Sequence, residues 1–255
     1  MVFFRSKSPQ GAYAELQVTT NFTFLQGASH PEEMVLAAAA CGLSAVAITD
    51  RNSFAGIVRA HTAAKQAGIK LIIGVRLDFT NDRSLLVYPK DRAAYGRLSR
   101  LLTIGRRRAE KGSCHLTLDD FAALAEGQVV VLLVPEQVDP DFQGWIADVQ
   151  QAVEGTIYLA AHHLYGGDDH KRINSLAQLA KKSGLRLLAT NDVHAHMAAR
   201  RPLQDVLSCI RDGCTIETAG ARLFVNAERH IKSPKEMRIL FSLWPKAIIA
   251  SLEIA

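Results

Sequence analysis

The sequence predicts an α/β fold, a (βα) barrel with a short helical extension at its C-terminal end. Short β-rich runs alternate with helical patterns from Ala14 to Arg211, which is the rhythm of βα crossovers and parallel pairing. About seven such units point to a barrel, with an open doubly wound sheet as the alternative. Residues suited to chemistry stand just after several of the β-rich runs, where barrels of this kind carry their sites. From about Leu223 the rhythm changes to purely helical patterns.

Taken in order, Ala14 to Thr19 reads as the first strand. Ser29-x-x-Glu32, with Pro31 in the first turn, reads as a capping box opening a helix over His30 to Cys41. Ser44 to Thr49 is a strand, Phe54 to Gln66 a helix and Lys70 to Phe79 a strand. Arg83 to Tyr88 follows the turn-favouring Asn81-Asp82 and reads as its hairpin partner. A basic helix spans about Asp91 to Arg108, and Thr117-x-x-Asp120 caps a helix over Leu118 to Ala125. Gln128 to Val134, Thr156 to Ala161 and Arg186 to Thr190 read as strands; Phe142 to Val153, Asp169 to Lys182 and Pro202 to Arg211 read as helices. Ser233-Pro234-x-Glu236 opens a helix to about Leu243, and Lys246 to Ile254 is amphipathic to the end. The reading places the barrel in residues 1–222. Residues 223–255 are then a helical linker and the start of a further domain, the chain ending inside a helical pattern.

The chain has 255 residues, 48% hydrophobic, enough for one large α/β domain or one domain and part of another. Wholesale disorder is excluded by that apolar fraction. The longest apolar runs, Met34 to Leu43 and Val129 to Val134, fall far short of the roughly 20 residues a membrane helix needs. Met1 to Gln10 carries Val2-Phe3-Phe4 before its basic residues, the wrong order for a signal peptide. Cys41, Cys114, Cys209 and Cys214 are scattered without a C-x-x-C pair, which fits a reduced, cytoplasmic setting. The net charge is +5. Between Lys90 and Lys111, eight cations face only Asp91 and Glu110, so this segment alone is +6 and the remainder about −1. A basic helix is what a phosphate backbone would seek, although a solvated helix face carries the same composition.

No G-x-S-x-G elbow, P-loop or G-x-G-x-x-G is present, so the hydrolase-elbow, P-loop and dinucleotide classes lack support. Gly166-Gly167-Asp168-Asp169 reads as a turn and helix cap. The strand ends carry Glu15 and Gln17, Asp50-Arg51-Asn52, Arg76 and Asp78, His162-His163, and Asn191-Asp192-Val193-His194 with His196. Asp192 and His194, two apart just past a strand, lie on one side of the chain and can share a metal. A capping Asp beside a hydrogen-bonded His is the simpler alternative.

These strand ends resemble a known family. Tyr13-Ala-Glu-Leu-Gln-Val-Thr-Thr-Asn-Phe-Thr-Phe-Leu-Gln-Gly-Ala-Ser29 is similar to the opening motif of the PHP (polymerase and histidinol phosphatase) domain, in the version found at the N-terminus of bacterial C-family DNA polymerases. Ala47-Ile-Thr-Asp50, Gly68-Ile-Lys-Leu-Ile-Ile-Gly74 and Ala189-Thr-Asn-Asp-Val-His194 match in order, and Arg200-Arg-Pro-Leu-Gln-Asp-Val-Leu-Ser-Cys-Ile-Arg211 resembles the error-prone branch. Lys232-Ser-Pro-Lys-Glu-Met and Leu252-Glu-Ile-Ala255 resemble the family's link towards the palm, so the resemblance covers about residues 12–255.

The resemblance implies a (βα)7 barrel whose strand ends hold divalent metals in active members, which hydrolyse phosphoesters or act as 3′–5′ exonucleases. The family's opening H-x-H is read here at Glu15-x-Gln17, the His after the strand-two Asp at Arg51, and the strand-three Glu at Arg76. Those are degenerate ligand positions, because a guanidinium repels a cation and keeps its proton. Asp50, His163, Asp192 and His194 remain as a vestigial set, with Arg51 and Arg76 expected to pair with Asp50 and Asp192. The expectation is therefore a structural platform in an error-prone DNA polymerase, with no cofactor of its own. The alternative is a Zn- or Mn-dependent phosphoesterase or exonuclease. Mg would serve the polymerase reaction of a full-length enzyme, whose palm carboxylates lie outside these residues. Expected partners are primer-template DNA and the remaining polymerase domains, with no membrane, and Arg106, Arg107 and Arg108 are the DNA-contact candidates.

Overall fold

The computed structural model describes residues 11–135 and 139–255; the reading of Met1 to Gln10 lies outside them. The strand β1 (Ala14–Glu15) leads to α1 (Pro31–Ala40), β2 (Ala45–Ile48), α2 (Ile57–Ala67), β3 (Lys70–Ile73), β4 (Val75–Asp78) and β5 (Ser84–Pro89). Then come α3 (Arg92–Arg108), α4 (Leu118–Ala122), β6 (Gln128–Leu132), α5 (Phe142–Ala152), β7 (Ile157–Ala161), α6 (Asp169–Lys182) and β8 (Arg186–Ala189). The chain closes with α7 (Arg201–Asp212), α8 (Ile216–Ala219), α9 (Pro234–Leu240) and α10 (Pro245–Ile254).

The strands form a parallel sheet, β1-β2-β3, and a mixed sheet, β4-β5-β6-β7-β8. The expected strand over Lys70 to Phe79 is thus two strands, parted at Gly74. A Cβ there would stand 2.7 Å from the Tyr88 ring and 2.9 Å from Thr49 Cγ2, so only glycine lets the chain turn from one sheet into the other. Two bridges draw the sheets together, Arg51 to Arg76 and Val18 to Val193. The hairpin β4-β5 is antiparallel as expected, but β5-β6 is antiparallel too. A uniform ring of seven parallel βα repeats is therefore not what forms. The α/β class stands, and the mixed strands occupy one arc of it.

Period-2 alternation divides the strand residues between two cores. Ala14, Leu16, Ala45, Ala47, Leu86, Tyr88, Val131, Tyr158, Ala160 and Leu188 pack together from both sheets. Their neighbours Val46, Ile48, Leu85, Val87, Val130, Leu132, Leu159 and Ala161 join the helix-covered core. Small alanines opposite Leu and Tyr fit a narrow interior at native density. The helices return a stripe with 3–4 spacing, as in Phe142, Trp145, Ile146 and Val149 of α5.

Residues 223–255 do not stand apart. Ile231, Met237, Phe241 and Ile248 join the helix-covered core and Ala250 the inner one. The Ala14 N–H donates to Ser251 Oγ (3.3 Å), so α10 packs against the start of β1. The expected boundary at 222/223 is thus no break in packing. Capping boxes form at Thr117 with Asp120 and at Ser233 with Glu236 as expected. At α1 the box shifts by one residue: His30 is the N-cap and its N–H donates to Glu33 Oε2 (2.8 Å). Ser29 instead meets His196, its Oγ 2.8 Å from Nδ1 and accepting the His196 N–H. Asp169, expected in a helix cap, accepts N–H bonds from Leu164 and Tyr165 (2.7 Å each) and so ties down the preceding loop. The four cysteines are free thiols.

Candidate functional site

A cavity of about 420 Å³ opens at the C-terminal ends of the strands. Strand parity decides who reaches it. Ala45, Ala47 and, two further on, Thr49 and Arg51 continue the inner face of β2, which turns Asp50 outward with Val46 and Ile48. Likewise Tyr158 and Ala160 lead to His162 on the inner face, leaving His163 outside. Arg76 and Asp78 alternate with Val75 and Leu77, which belong to the outer core.

The side chains follow that division. Arg51, Arg76, His162, Asp192 and His194 line the cavity with Gln17. Asp50 does not. Its Oδ1 accepts the Thr20 N–H and Thr23 hydroxyl, and its Oδ2 the Thr20 hydroxyl, each at 2.8 Å. His163 Nε2 lies 3.0 Å from the Leu240 carbonyl, with its ring edge-on to Phe241. Glu15 is also turned away, accepting from Tyr13 Oη (2.8 Å) and from the Gln17 N–H (2.9 Å). Of the vestigial set, then, only Asp192 and His194 meet, with Oδ1 3.4 Å from Nε2.

The arginines also find partners other than those expected. Both pair with Asp78: Arg76 Nε at 2.7 Å and Arg51 Nη1 at 3.2 Å. Burial opposes the Asp78 charge, but Arg76 and Arg51 overcome it and hold the carboxyl below its usual range. Asp192 pairs with Arg229 and accepts from Gln17 Nε2 at 2.7 Å. Burial works against its charge as well, yet Arg229 and His194 keep it well below the ordinary carboxylate value. Burial lowers His162 to about 4, with Arg229 and Arg172 adding to the effect, so the imidazole is neutral at pH 7.

Sequence reasoning missed Arg172, Arg211 and Arg229, all of which line the cavity. Arg229 lies over the Phe224 ring at 4.3 Å. His162 was legible from parity alone. No local signal marks Arg229, which stands in an irregular segment and arrives by tertiary packing.

Among the described residues no three His, Cys, Asp or Glu side chains are grouped to hold an ion. Asp50 and His163 face elsewhere, and Asp192 already accepts from three sides. On the basic helix, Arg108 pairs with Asp120 (2.5 Å), Arg106 donates to the Asn52 carbonyl (2.8 Å) and Arg107 is exposed.

Glu15 carries a prediction. Burial raises its carboxyl to about 7, against the hydrogen bonds from Gln17, Tyr13 and Asn191. A carboxyl raised on folding stabilises the fold fully below its unfolded value of 4.5 and loses that contribution as pH climbs through 7. Glu15→Gln should therefore match the parent near pH 4 and exceed it near pH 8 by about 3 kcal/mol, at 1.36 kcal/mol per pH unit. His162 runs the other way, since its lowered pKa costs stability as pH falls towards 4, but it cancels in the mutant-minus-parent difference. Urea midpoints at the two pH values check this; a difference that stays flat refutes it.

The comparisons agree with this architecture. The profile of the PHP domain matches residues 15–157, more than half of the chain. The chain is a member of the PHP-domain family. It is 53% identical over 243 residues to an error-prone DNA polymerase of Caulobacter vibrioides and 46% identical over 243 residues to error-prone DNA polymerase 1 of Agrobacterium fabrum. Each alignment covers 95% of this chain but 22% of the relative, so this PHP chain spans about a fifth of their length. Among solved structures, a proposed metal-dependent phosphoesterase of Bifidobacterium adolescentis superposes with a TM-score of 0.54 at 16% identity, covering 72% of this chain and 88% of that one. An amidohydrolase of Chromobacterium violaceum gives 0.52 at 19%, with the same coverage. At those identities the likeness is one of fold. No helix among the described residues is long and apolar enough to cross a membrane.

Proposed function

We propose that this PHP domain is the N-terminal part of an error-prone, translesion-type DNA polymerase, where it serves as a structural platform without metal chemistry of its own. One observation carries the reading: Arg51 and Arg76, which line the cavity, share Asp78, and stand at the positions where hydrolytic relatives are expected to hold metal ligands. A cation placed there would face two guanidiniums that cannot discharge. The identity to error-prone polymerases supports the polymerase context. Templated synthesis would need carboxylates holding two Mg²⁺ ions in a palm domain, supplied by the rest of such an enzyme. In this reading the protein is cytoplasmic, acts in DNA replication and repair after damage, and meets primer-template DNA and its neighbouring domains through the basic α3.

The test uses the full-length polymerase expressed with added Zn²⁺ and Mn²⁺. Elemental analysis should find no stoichiometric metal in the PHP domain, and primer-template binding should weaken steeply with salt. Replacing Arg107 with Gln should reduce the log–log salt slope by about 0.9, the share of one neutralised phosphate. Two or more tight metals per PHP domain would overturn the platform reading, and an unchanged slope would remove α3 from the DNA interface.

A further inference from the structure

We propose that the cavity is a metal-independent binding site for a phosphate-bearing anion, of the size of a diphosphate. Among the described residues, five guanidiniums line it (Arg51, Arg76, Arg172, Arg211 and Arg229) with one carboxylate, that of Asp192. They come from the end of β2, from β4, from α6, from α7 and from the segment before α9, so donors approach from several directions. That suits a tetrahedral oxyanion with oxygens on every side better than a planar carboxylate with two. The volume of about 420 Å³ exceeds what a lone phosphate fills and lies in the range of small-ligand sites.

The donor inventory points the same way. Asp78 is shared by Arg51 and Arg76, Asp192 is held by Arg229, Asp169 stands 3.8 Å from Arg172, and Asp212 lies 2.9 Å from Arg211. Among the described residues, five guanidiniums against four carboxylates leave a positive balance. Each guanidinium brings five N–H donors, many more than those acids accept. Among the described residues, the buried Nε atoms of Arg51 and Arg172 have no hydrogen-bond partner. Orphaned buried donors are costly and mark a place where an acceptor is missing. Arg76 pushes the Arg51 guanidinium below its ordinary value, after burial itself; the two like charges thus sit close enough to repel, and a polyanion would relieve both. Neutral His162 and the Gln17 amide add polar groups to the same wall.

The inference stands on these side chains and not on the polymerase reading, which metal content tests separately. The experiment is calorimetric titration of the chain with sodium diphosphate in EDTA, with phosphate and malonate alongside. Saturable 1:1 binding is expected, at least tenfold tighter for diphosphate than for either control. Arg76→Gln and Arg229→Gln should each weaken it about tenfold or more, as removal of a charge-assisted pair does, while Lys65→Gln, on the exposed face of α2 and away from the cavity, leaves it unchanged. Asp192→Asn is the decisive variant. It removes the lining negative charge and frees Arg229, so an anion should bind several-fold tighter, whereas a metal would be lost. Melting curves confirm that each variant is folded. Competition by a 5′-phosphorylated oligonucleotide but not its 5′-hydroxyl form would identify a nucleic-acid end as the source, and competition by neither a free anion; both outcomes support the site. No saturation below millimolar diphosphate, binding only with added Zn²⁺ or Mn²⁺, tighter binding of malonate, or weakening by Asp192→Asn would overturn it, as would equal competition by both oligonucleotides.

Discussion

Gly27→Ala should unfold or nearly unfold the protein, with an expected cost of about 4 kcal/mol or more. A Cβ at this position would stand 2.2 Å from both the carbonyl carbon and the oxygen of Thr20, and 2.8 Å from the Thr19 oxygen. Those are backbone atoms, so no rotamer change relieves the clash. The turn is held on every side: the Asn21 N–H donates to Ser29 O (2.9 Å), the Gln26 N–H to Thr23 O (3.0 Å) and the Ala28 N–H to His194 O (2.8 Å). Opening it by an ångström breaks bonds to the strand end that carries His194, so the cavity should disappear with the fold. Gly96→Ala is the control. Nothing lies within 4 Å of its added Cβ, and within α3 the exchange should stabilise by about 0.5–1 kcal/mol. Urea midpoints of the two variants should move in opposite directions; a Gly27→Ala midpoint within about 1 kcal/mol of the parent would mean the turn is not packed as described.

Much of this architecture was legible in the sequence because it is written in local periodicity. Helical stripes such as Phe142, Trp145, Ile146 and Val149 declare themselves at 3–4 spacing. The caps at Thr117 and Ser233 need only a partner three residues on. The cap of α1 slipped by one residue because Ser29-x-x-Glu32 and His30-x-x-Glu33 overlap, and a partner 167 residues away draws off Ser29. Parity along β2 and β7 would have sorted Arg51 and His162 inward and Asp50 and His163 outward. The spacing of Arg76 and Asp78 on one face of β4 would likewise have named Asp78 as the arginine partner. The three further arginines carry no such mark. Arg172 and Arg211 look like the polar face of amphipathic helices, and only packing brings them to the strand ends. The α7 helix shows how far packing can override pattern. It buries Gln204, Ser208 and Cys209 and leaves Leu203, Val206 and Ile210 at 40%, 39% and 60% exposure.

The second large effect is expected at Asp50, and it separates a structural carboxylate from a metal ligand. Asp50→Ala should cost about 3–5 kcal/mol, lowering the melting temperature by about 10 °C for a chain of this size. The carboxyl is buried and accepts the Thr20 N–H, the Thr20 hydroxyl and the Thr23 hydroxyl. Thr23 Oγ1 in turn accepts the Arg51 N–H at 3.0 Å, and Thr20 Oγ1 the Phe22 N–H at 3.2 Å. Removing the acid leaves three buried donors without an acceptor and loosens the hydroxyls that hold two more. Because those bonds form one network, the cost should exceed that of a single hydrogen bond several-fold. None of this depends on a bound ion, so the destabilisation should be the same in EDTA and in excess Zn²⁺ or Mn²⁺. For a metal ligand the sign of the evidence reverses: the parent would melt higher with metal, the variant would not respond, and the two would converge in EDTA. Thermal unfolding of both proteins under the three conditions decides between these outcomes, and convergence in EDTA would return Asp50 to the ligand set.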